Sequence, residues 1–235
     1  FFSRLYIRRK KKKRRISMSL ITGILEQLIN GLRTGSIYAL IAIGYTMVYG
    51  IAKMINFAHG DIIMVGAYSL YVFTAVLNLP AAASVILTVV VCAVLGIVVE
   101  RIAYKPLRNA PSLAVLITAI GVSYFLQNTA LLIFKATPIP FGSIINVSGI
   151  RLGNINISGV TLVTFIVTVV MMVGLTLFIN KTKAGSAMRA VSEDRGAASL
   201  MGINVNKTIS MTFAIGSALA AVAGILYICQ YQSLQ

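Results

Sequence analysis

The sequence predicts an all-α fold, a polytopic transmembrane helix bundle with about six spans. Three observations carry that prediction. Hydrophobic residues make up 58% of the 235 and charged residues only 11%, whereas soluble domains carry about 25% charged residues on their water-facing surfaces. The apolar residues are gathered into six stretches, 34–51, 60–79, 81–99, 113–134, 160–180 and 209–231, each near the roughly 20 residues a helix needs to cross a bilayer. Five of the six contain no charged residue, and the sixth has Asp61 at its start. Barrel strands would be about half as long and would alternate in polarity. A soluble enzyme is excluded by the shortage of polar surface.

The elements follow in order. Segment 1–17 is a polybasic tail: nine of the 21 Lys and Arg residues lie between Arg4 and Arg15. Removing it reduces the formal charge of +16 to +7, twelve basic against five acidic residues. A nucleic-acid partner would need basic residues spread over a folded face, so none is expected. Met18-Ser-Leu reads as an ordinary start, and the tail is expected to be foreign to the native protein; a genuine tail would attract anionic headgroups. The stretch 20–33, with Glu26, Gln27, Asn30 and Arg33, is too short and polar to cross alone. It either extends the first span or lies along the interface.

Loop charge sets the orientation. The loop 100–112 carries Arg101, Lys105 and Arg108, and the loop 181–208 carries Lys181, Lys183, Arg189, Arg195 and Lys207. The 25 residues of 135–159 carry only Lys135 and Arg151. The positive-inside rule makes the first two cytoplasmic and the third external. Counting back puts 52–59 inside and the chain start outside, in conflict with the basic tail unless the helix is broken or re-entrant near Gly60 or the tail is foreign. Glu100 and Arg101 open a segment that Pro106 stiffens, read as a basic cytoplasmic turn or, alternatively, as a direct contact with a partner protein. The segment 135–159 is either a small hairpin or a plain loop. In the last span Gly216, Ala220 and Gly224 recur at i, i+4 and i+8, and Gly31 and Gly35 repeat the spacing, as close helix approach in lipid requires. Cys92 and Cys229 lie in separate apolar stretches, so neither a disulfide framework nor a metal site is expected.

The segment 185–207, GSAMRAVSEDRGAASLMGINVNK, reads as a short helix outside the membrane. Ser192 is placed to cap it, Glu193 and Asp194 fall in its first turn, and Gly202 closes it with a left-handed residue. Leu200 and Met201 are apolar pegs. The pattern fits a helix that enters a partner's groove equally with one lying on its own bilayer.

The stretch GAASLMG resembles the EAA loop of ABC importer permeases: Ala197, Ala198 and Gly202 match Glu-Ala-Ala-x-x-x-Gly, with Gly196 in place of the glutamate. Four further stretches are similar to the branched-chain amino acid permeases of the LivH type: GSIYALIAIGYTMVYGIAKMINFAHGD (35–61), ERIAYKPLR (100–108), LITAIGVSYFLQN (116–128) and GINVNKTISMTFAIGSALAAVAGIL (202–226). The resemblance covers nearly everything from Met18 onward. It implies a subunit of an inner-membrane importer for leucine, isoleucine or valine, with uptake of urea or short amides as the nearest alternative. It further implies a second permease subunit, two cytoplasmic ATPase subunits that hold ATP and Mg, and an external substrate-binding protein. The coupling helix, about 193–201, would dock on the ATPase through Glu193, Asp194, Ala197, Ala198, Leu200, Met201 and Gly202. The partner in the alternative reading of the segment at Glu100 and Arg101 would be the same ATPase. Similar permeases continue past the position of Gln235, so the chain is expected to be partial.

No glycine here is followed by lysine, so the phosphate-binding Gly-Lys-Ser/Thr loop is missing. This chain is expected to bind no cofactor and to be no enzyme. An ion-coupled transporter would call for charges buried mid-span, and a non-transporting scaffold would leave 185–207 without a nucleotide-linked partner. Asn56, His59 and Asp61 form a polar cluster beside a span, which marks a pathway or gate by default. Exposed N–H groups near Gly60 would hold a carboxylate, and Asp61 an ammonium. Against that stand a plain reading in which Asp61 caps the span at the water interface with His59 solvated, and a third in which the cluster is a subunit contact. Tyr45, Thr46, Gln127 and Asn128, with Ser123 and Tyr124, either line the path or bond helix to helix.

Overall fold

A computed structural model describes residues 2–108, 110–145, 147–152 and 155–234, with side chains throughout except at 2–19, 21, 151–152 and 155–156. Eight α-helices dominate: α1 (Phe2–Ala52), α2 (His59–Tyr71), α3 (Ala81–Val99), α4 (Ser112–Phe134), α5 (Gly159–Lys181), α6 (Lys183–Glu193), α7 (Arg195–Leu200) and α8 (Val205–Tyr231). Among the described residues six segments are long and apolar enough to cross a membrane: Thr22–Ala52, His59–Val76, Ala81–Leu107, Ser112–Phe134, Gly159–Lys181 and Val205–Tyr231. The first span therefore takes in the polar stretch 20–33. Pro80 and Pro111 immediately precede α3 and α4, where a residue with no N–H and a fixed φ costs nothing. Ser158 accepts from the Thr161 N–H to cap α5, and Asn204 accepts from the Lys207 N–H to cap α8.

Helix α8 is the hub, packed against α1, α2 and α3. Its small residues do what their spacing predicts. A side chain at Gly216 would meet Val48 Cγ2 at 2.6 Å, and one at Gly224 would strike the Ile63 carbonyl of α2. Helix α3 answers with a four-residue stripe on an otherwise apolar rod: Ser84, Thr88, Cys92 and Gly96 are buried, and Glu100 continues the row. Gly31 and Gly35 behave otherwise, because nothing lies within 4 Å of a side chain built at either. They make no close helix crossing within the chain.

Two spans end differently from the sequence reading. Helix α2 runs on into a π turn at Val72–Val76. Helix α3 does not stop at residue 99; a π turn at Glu100–Tyr104 and a 3-10 turn at Lys105–Leu107 carry it to Leu107. Glu100 thus opens no loop, and its side chain is fully buried. The segment 135–159 contains a hairpin, β2 (Ile150–Leu152) antiparallel to β3 (Ile155–Ile157), and β1 (Ile139–Pro140) pairs with β4 (Ser233–Leu234) just beyond α8.

The basic loops meet at one end of the bundle. Arg108 donates to Asn206 at the foot of α8, and Arg195 donates to the Ala52 carbonyl at the foot of α1. This basic end is the one the positive-inside rule expects on the cytoplasmic side. The strands and residues Glu26–Arg33 of α1, which share a cleft with Ser158 and Thr161, lie at the other.

Between α1 and α2 the chain is unwound over 53–58. Lys53 takes a positive φ of 51°, and Met54, Asn56 and Ala58 are buried. Helix α2 then starts far from the cytoplasmic end, because the His59 imidazole packs on Gly44 beside the Gly216 carbonyl. Gly216 is about 16 Å along the roughly 40 Å length of α8, at 1.5 Å per residue. The break thus precedes Gly60, and it does not reverse the chain's course: α1 still begins at the end opposite the basic loops.

Candidate functional site

Three groups of residues occupy the break and the cytoplasmic end. The first is the start of α2. His59 is 3% exposed and Asp61 6% exposed. His59 meets Tyr45 edge-on, with ring centroids 6.0 Å apart and planes at 70°. Asp61 accepts from Gln127 Nε2 at 2.9 Å, and the same amide donates to Ser123 Oγ at 3.1 Å. The second Asp61 oxygen and His59 Nε2 are buried with no hydrogen-bond partner among the described residues. This corrects the plain reading of the cluster: His59 is not solvated and Asp61 does not cap the span, since the capping position belongs to Ala58, which offers no side-chain bond. Asp61 instead lies within the first turn of the helix at mid-depth, beside the positive end of the α2 dipole.

The second group fastens the helix feet together. Glu100, fully buried, receives the Arg108 guanidinium on Oε1 and the Ser210 hydroxyl on Oε2 at 2.5 Å. Four residues later in the same segment, Tyr104 is also fully buried and donates to Asn56 Oδ1 at 2.9 Å. A buried carboxylate so supplied with donors is stable, because the desolvation cost is offset by paired charge and hydrogen bonds. Asn56 therefore serves the linker 53–58 as a side-chain anchor to the end of α3. Sequence reasoning placed Glu100 and Arg108 in a basic turn and passed over Asn206 and Ser210; the one signal was an acid placed in register with the buried row 84, 88, 92 and 96.

The third group is the segment 185–207. It forms two helices rather than one. Helix α6 ends at Glu193, and the cap of α7 is Asp194, whose Oδ1 accepts from the Gly196 N–H at 2.7 Å and the Ala197 N–H at 3.0 Å. Ser192 is no cap; its hydroxyl donates to the Arg189 carbonyl inside α6. Glu193 and Asp194 accordingly precede α7 instead of forming its first turn. Gly202 does close the helix, at φ 81°, with the Ile203 N–H returning to the Ala198 carbonyl at 3.0 Å. Ala198 is buried against the bundle, whereas Leu200 and Met201 are 90% and 83% exposed. Burial, and then the neighbouring Arg108 charge, lower the Arg195 pKa from its ordinary value.

The remaining candidates separate. Thr46 is exposed, donates to the Ala42 carbonyl at 2.7 Å and lines a cavity of about 450 Å³ bounded by α1, α5 and α6. Asn128 is exposed and donates to the Tyr124 carbonyl of its own helix. Gly60 lines a third space, a cavity of about 380 Å³ between α1, α2 and α8. Tyr45, His59, Gly60, Asp61 and Gln127 are thus gathered around one helix start, and Thr46 and Asn128 are apart from it.

A six-span helical bundle with a broken second span, a hub of small residues and a short apolar-tipped helix beyond its basic end has the build of a membrane permease subunit. Residues 27–235 match the family model described as branched-chain amino acid transport system / permease component, and the chain belongs to that family. It is 45% identical over 221 residues to the high-affinity branched-chain amino acid transport system permease protein BraD of Pseudomonas aeruginosa, covering 88% of this chain and 71% of that one. Identity to the corresponding LivH proteins of Escherichia coli and Salmonella typhimurium is 44% over 214 residues, 86% of this chain and 70% of each. No solved structure matches the chain.

Proposed function

We propose that this chain is one permease subunit of an ATP-driven importer of leucine, isoleucine and valine, and that α7 is its coupling helix. The observation that carries the reading is the tip of α7. Leu200 and Met201 project almost entirely into solvent from a helix that is capped by Asp194, seated by Ala198 and tied by Arg195 to the last carbonyl of α1. Exposed apolar pegs on a rigid, short helix suit a groove in a partner protein. The partner would be a cytoplasmic ATPase subunit carrying ATP and Mg, one of two, with a second permease completing the path and an external binding protein delivering the solute. Motion of α7 would reach the unwound segment 53–58 directly through Arg195 and Ala52, and from there the start of α2. The names carried by the relatives favour branched-chain amino acids over urea or short amides.

The test is co-purification with the ATPase. Leu200→Ser with Met201→Ser removes two side chains, each worth roughly 1.5–3 kcal/mol when buried, so binding should weaken at least tenfold after association costs. Undiminished binding would refute the coupling role. Uptake that survives an inactive ATPase and collapses with the proton gradient would replace the importer by an ion-coupled transporter.

A further inference from the structure

The cavity of about 380 Å³ at the start of α2 has a chemistry of its own. Its floor is the first turn of α2, with Gly60, Ile63 and Met64, and its walls include Tyr38 of α1, Tyr68 of α2 and Tyr227 and Tyr231 of α8. No charged side chain lines it, in contrast to the cytoplasmic cavity of about 540 Å³ that is bordered by Lys53, Arg108, Glu193, Asp194 and Arg195. Tyr227 and Tyr231 belong to the last turns of α8, and β4, which also borders the cavity, pairs with the external segment. The cavity therefore occupies the outer half of the bundle, and its floor lies near mid-depth.

Its volume is within the about 300–1,000 Å³ typical of small-ligand sites. Tyr68 is nine-tenths buried, and none of the four tyrosine hydroxyls has a hydrogen-bond partner among the described residues. The backbone N–H of Gly60, in the first turn of α2, is likewise without a helical partner, as the opening N–H groups of any helix are. Apolar contacts from Ile63 and Met64, tyrosine rings whose unoccupied faces attract an ammonium although Tyr68 stacks on Phe134 and Tyr227 tilts against Tyr231, and free N–H and O–H donors for a carboxylate border one space. That combination suits a molecule with both charges and an aliphatic side chain, and it suits no ion.

We infer that this tyrosine-lined cavity is the halting place of the amino acid inside the permease, with the aliphatic side chain against Ile63 and Met64 and the carboxylate toward Gly60. The inference rests on the importer reading above and adds to it where the solute is held and what selects its size. Asp61 is then not the ammonium contact. It is turned to Gln127 of α4 and positions the start of α2.

Gly60 supplies the test. A Cβ there meets nothing within 4 Å, so the side chain of Gly60→Leu starts into open space and takes up part of the cavity. Gly121→Leu, on α4 and equally unobstructed, is the control. In proteoliposomes holding both permeases, the ATPases and saturating binding protein, uptake of radiolabelled leucine and valine is measured per ATP hydrolysed. Gly60→Leu should lower the leucine-to-valine ratio about tenfold, the usual weight of a methylene in an apolar site. Met64→Ala, which enlarges the cavity, should raise it. Gly121→Leu should match the wild type. An unchanged ratio in both Gly60→Leu and Met64→Ala would overturn the subsite while leaving the importer intact. Failure of the wild-type assembly to move either amino acid would overturn both.

Discussion

The contact between α3 and α8 at Gly96 gives a sharp test of how the bundle is held. A side chain at residue 96 would stand 2.6 Å from Ser217 Cβ and 2.9 Å from the Phe213 carbonyl oxygen, against 3.4 Å for ordinary contact. Ser217 can rotate its hydroxyl away, but its Cβ is fixed to the backbone, so Gly96→Ala must push the two helices apart along the buried row. Overpacking of this kind costs about 1–3 kcal/mol. Alanine returns at most about 1 kcal/mol through helix propensity. Because both obstructing atoms are held by the α8 backbone, the upper half of that cost applies, and the net expectation is a loss of about 1–2 kcal/mol, measured as reversible unfolding in mixed micelles. Gly121→Ala, with open space around it, should be neutral or slightly stabilising. Ser217→Gly combined with Gly96→Ala should recover most of the loss, with only the Phe213 oxygen still close; a coupling energy above about 0.5 kcal/mol in the double-mutant cycle is required. Wild-type stability of Gly96→Ala, or additivity of the two changes, would refute the claim that this seam sets the helix spacing.

Two further outcomes follow from the cytoplasmic end. Arg108→Ala strands the buried Glu100 carboxylate and should cost about 3–5 kcal/mol, whereas Glu100→Gln with Arg108→Met should lose much less; thermal unfolding in detergent compares them. Asp194→Ala removes both bonds at the start of α7 and should weaken that helix by about 0.5–2 kcal/mol, detected as faster proteolysis near Gly196 with the melting temperature of the bundle unchanged.

Much of this architecture was legible from the chain. Apolar runs the width of a bilayer identified the spans, because a buried backbone in lipid must be helical. Gly216, Ala220 and Gly224 announced a close-packed face, and Gly202 its left-handed cap. What escaped was depth. Hydropathy treats His59-Gly-Asp61 as the edge of a span, and nothing local says that the preceding residues climb back to the level of Gly44 before the helix resumes. The competition between Ser192 and Asp194 was equally hidden, since both are good caps two residues apart. It was decided by which oxygen meets the free N–H groups of Gly196 and Ala197. Glu100 was read as a loop residue because charge usually ends a span; only the row of small residues on α3, which lacks any hydrophobic signal, marks that position as interior. The tyrosines of the outer cavity come from three helices and share no motif.

The span His59–Val76 is the least apolar of the six, and the one after it, Ala81–Leu107, the most. Only the residues 77–80 separate them, and the polar start of α2 finds its shelter on α8, some 150 residues later in synthesis. A nascent chain leaving the ribosome therefore delivers α2 into the bilayer as the weaker arm of a hairpin, drawn in by α3. His59 already rests on Tyr45 of α1 and Asp61 meets Gln127 when α4 arrives, but the space beside Gly216 closes only once α8 is threaded. The order of manufacture therefore leaves the packing of α1, α2 and α3 incomplete until α8, which touches all three, has been made.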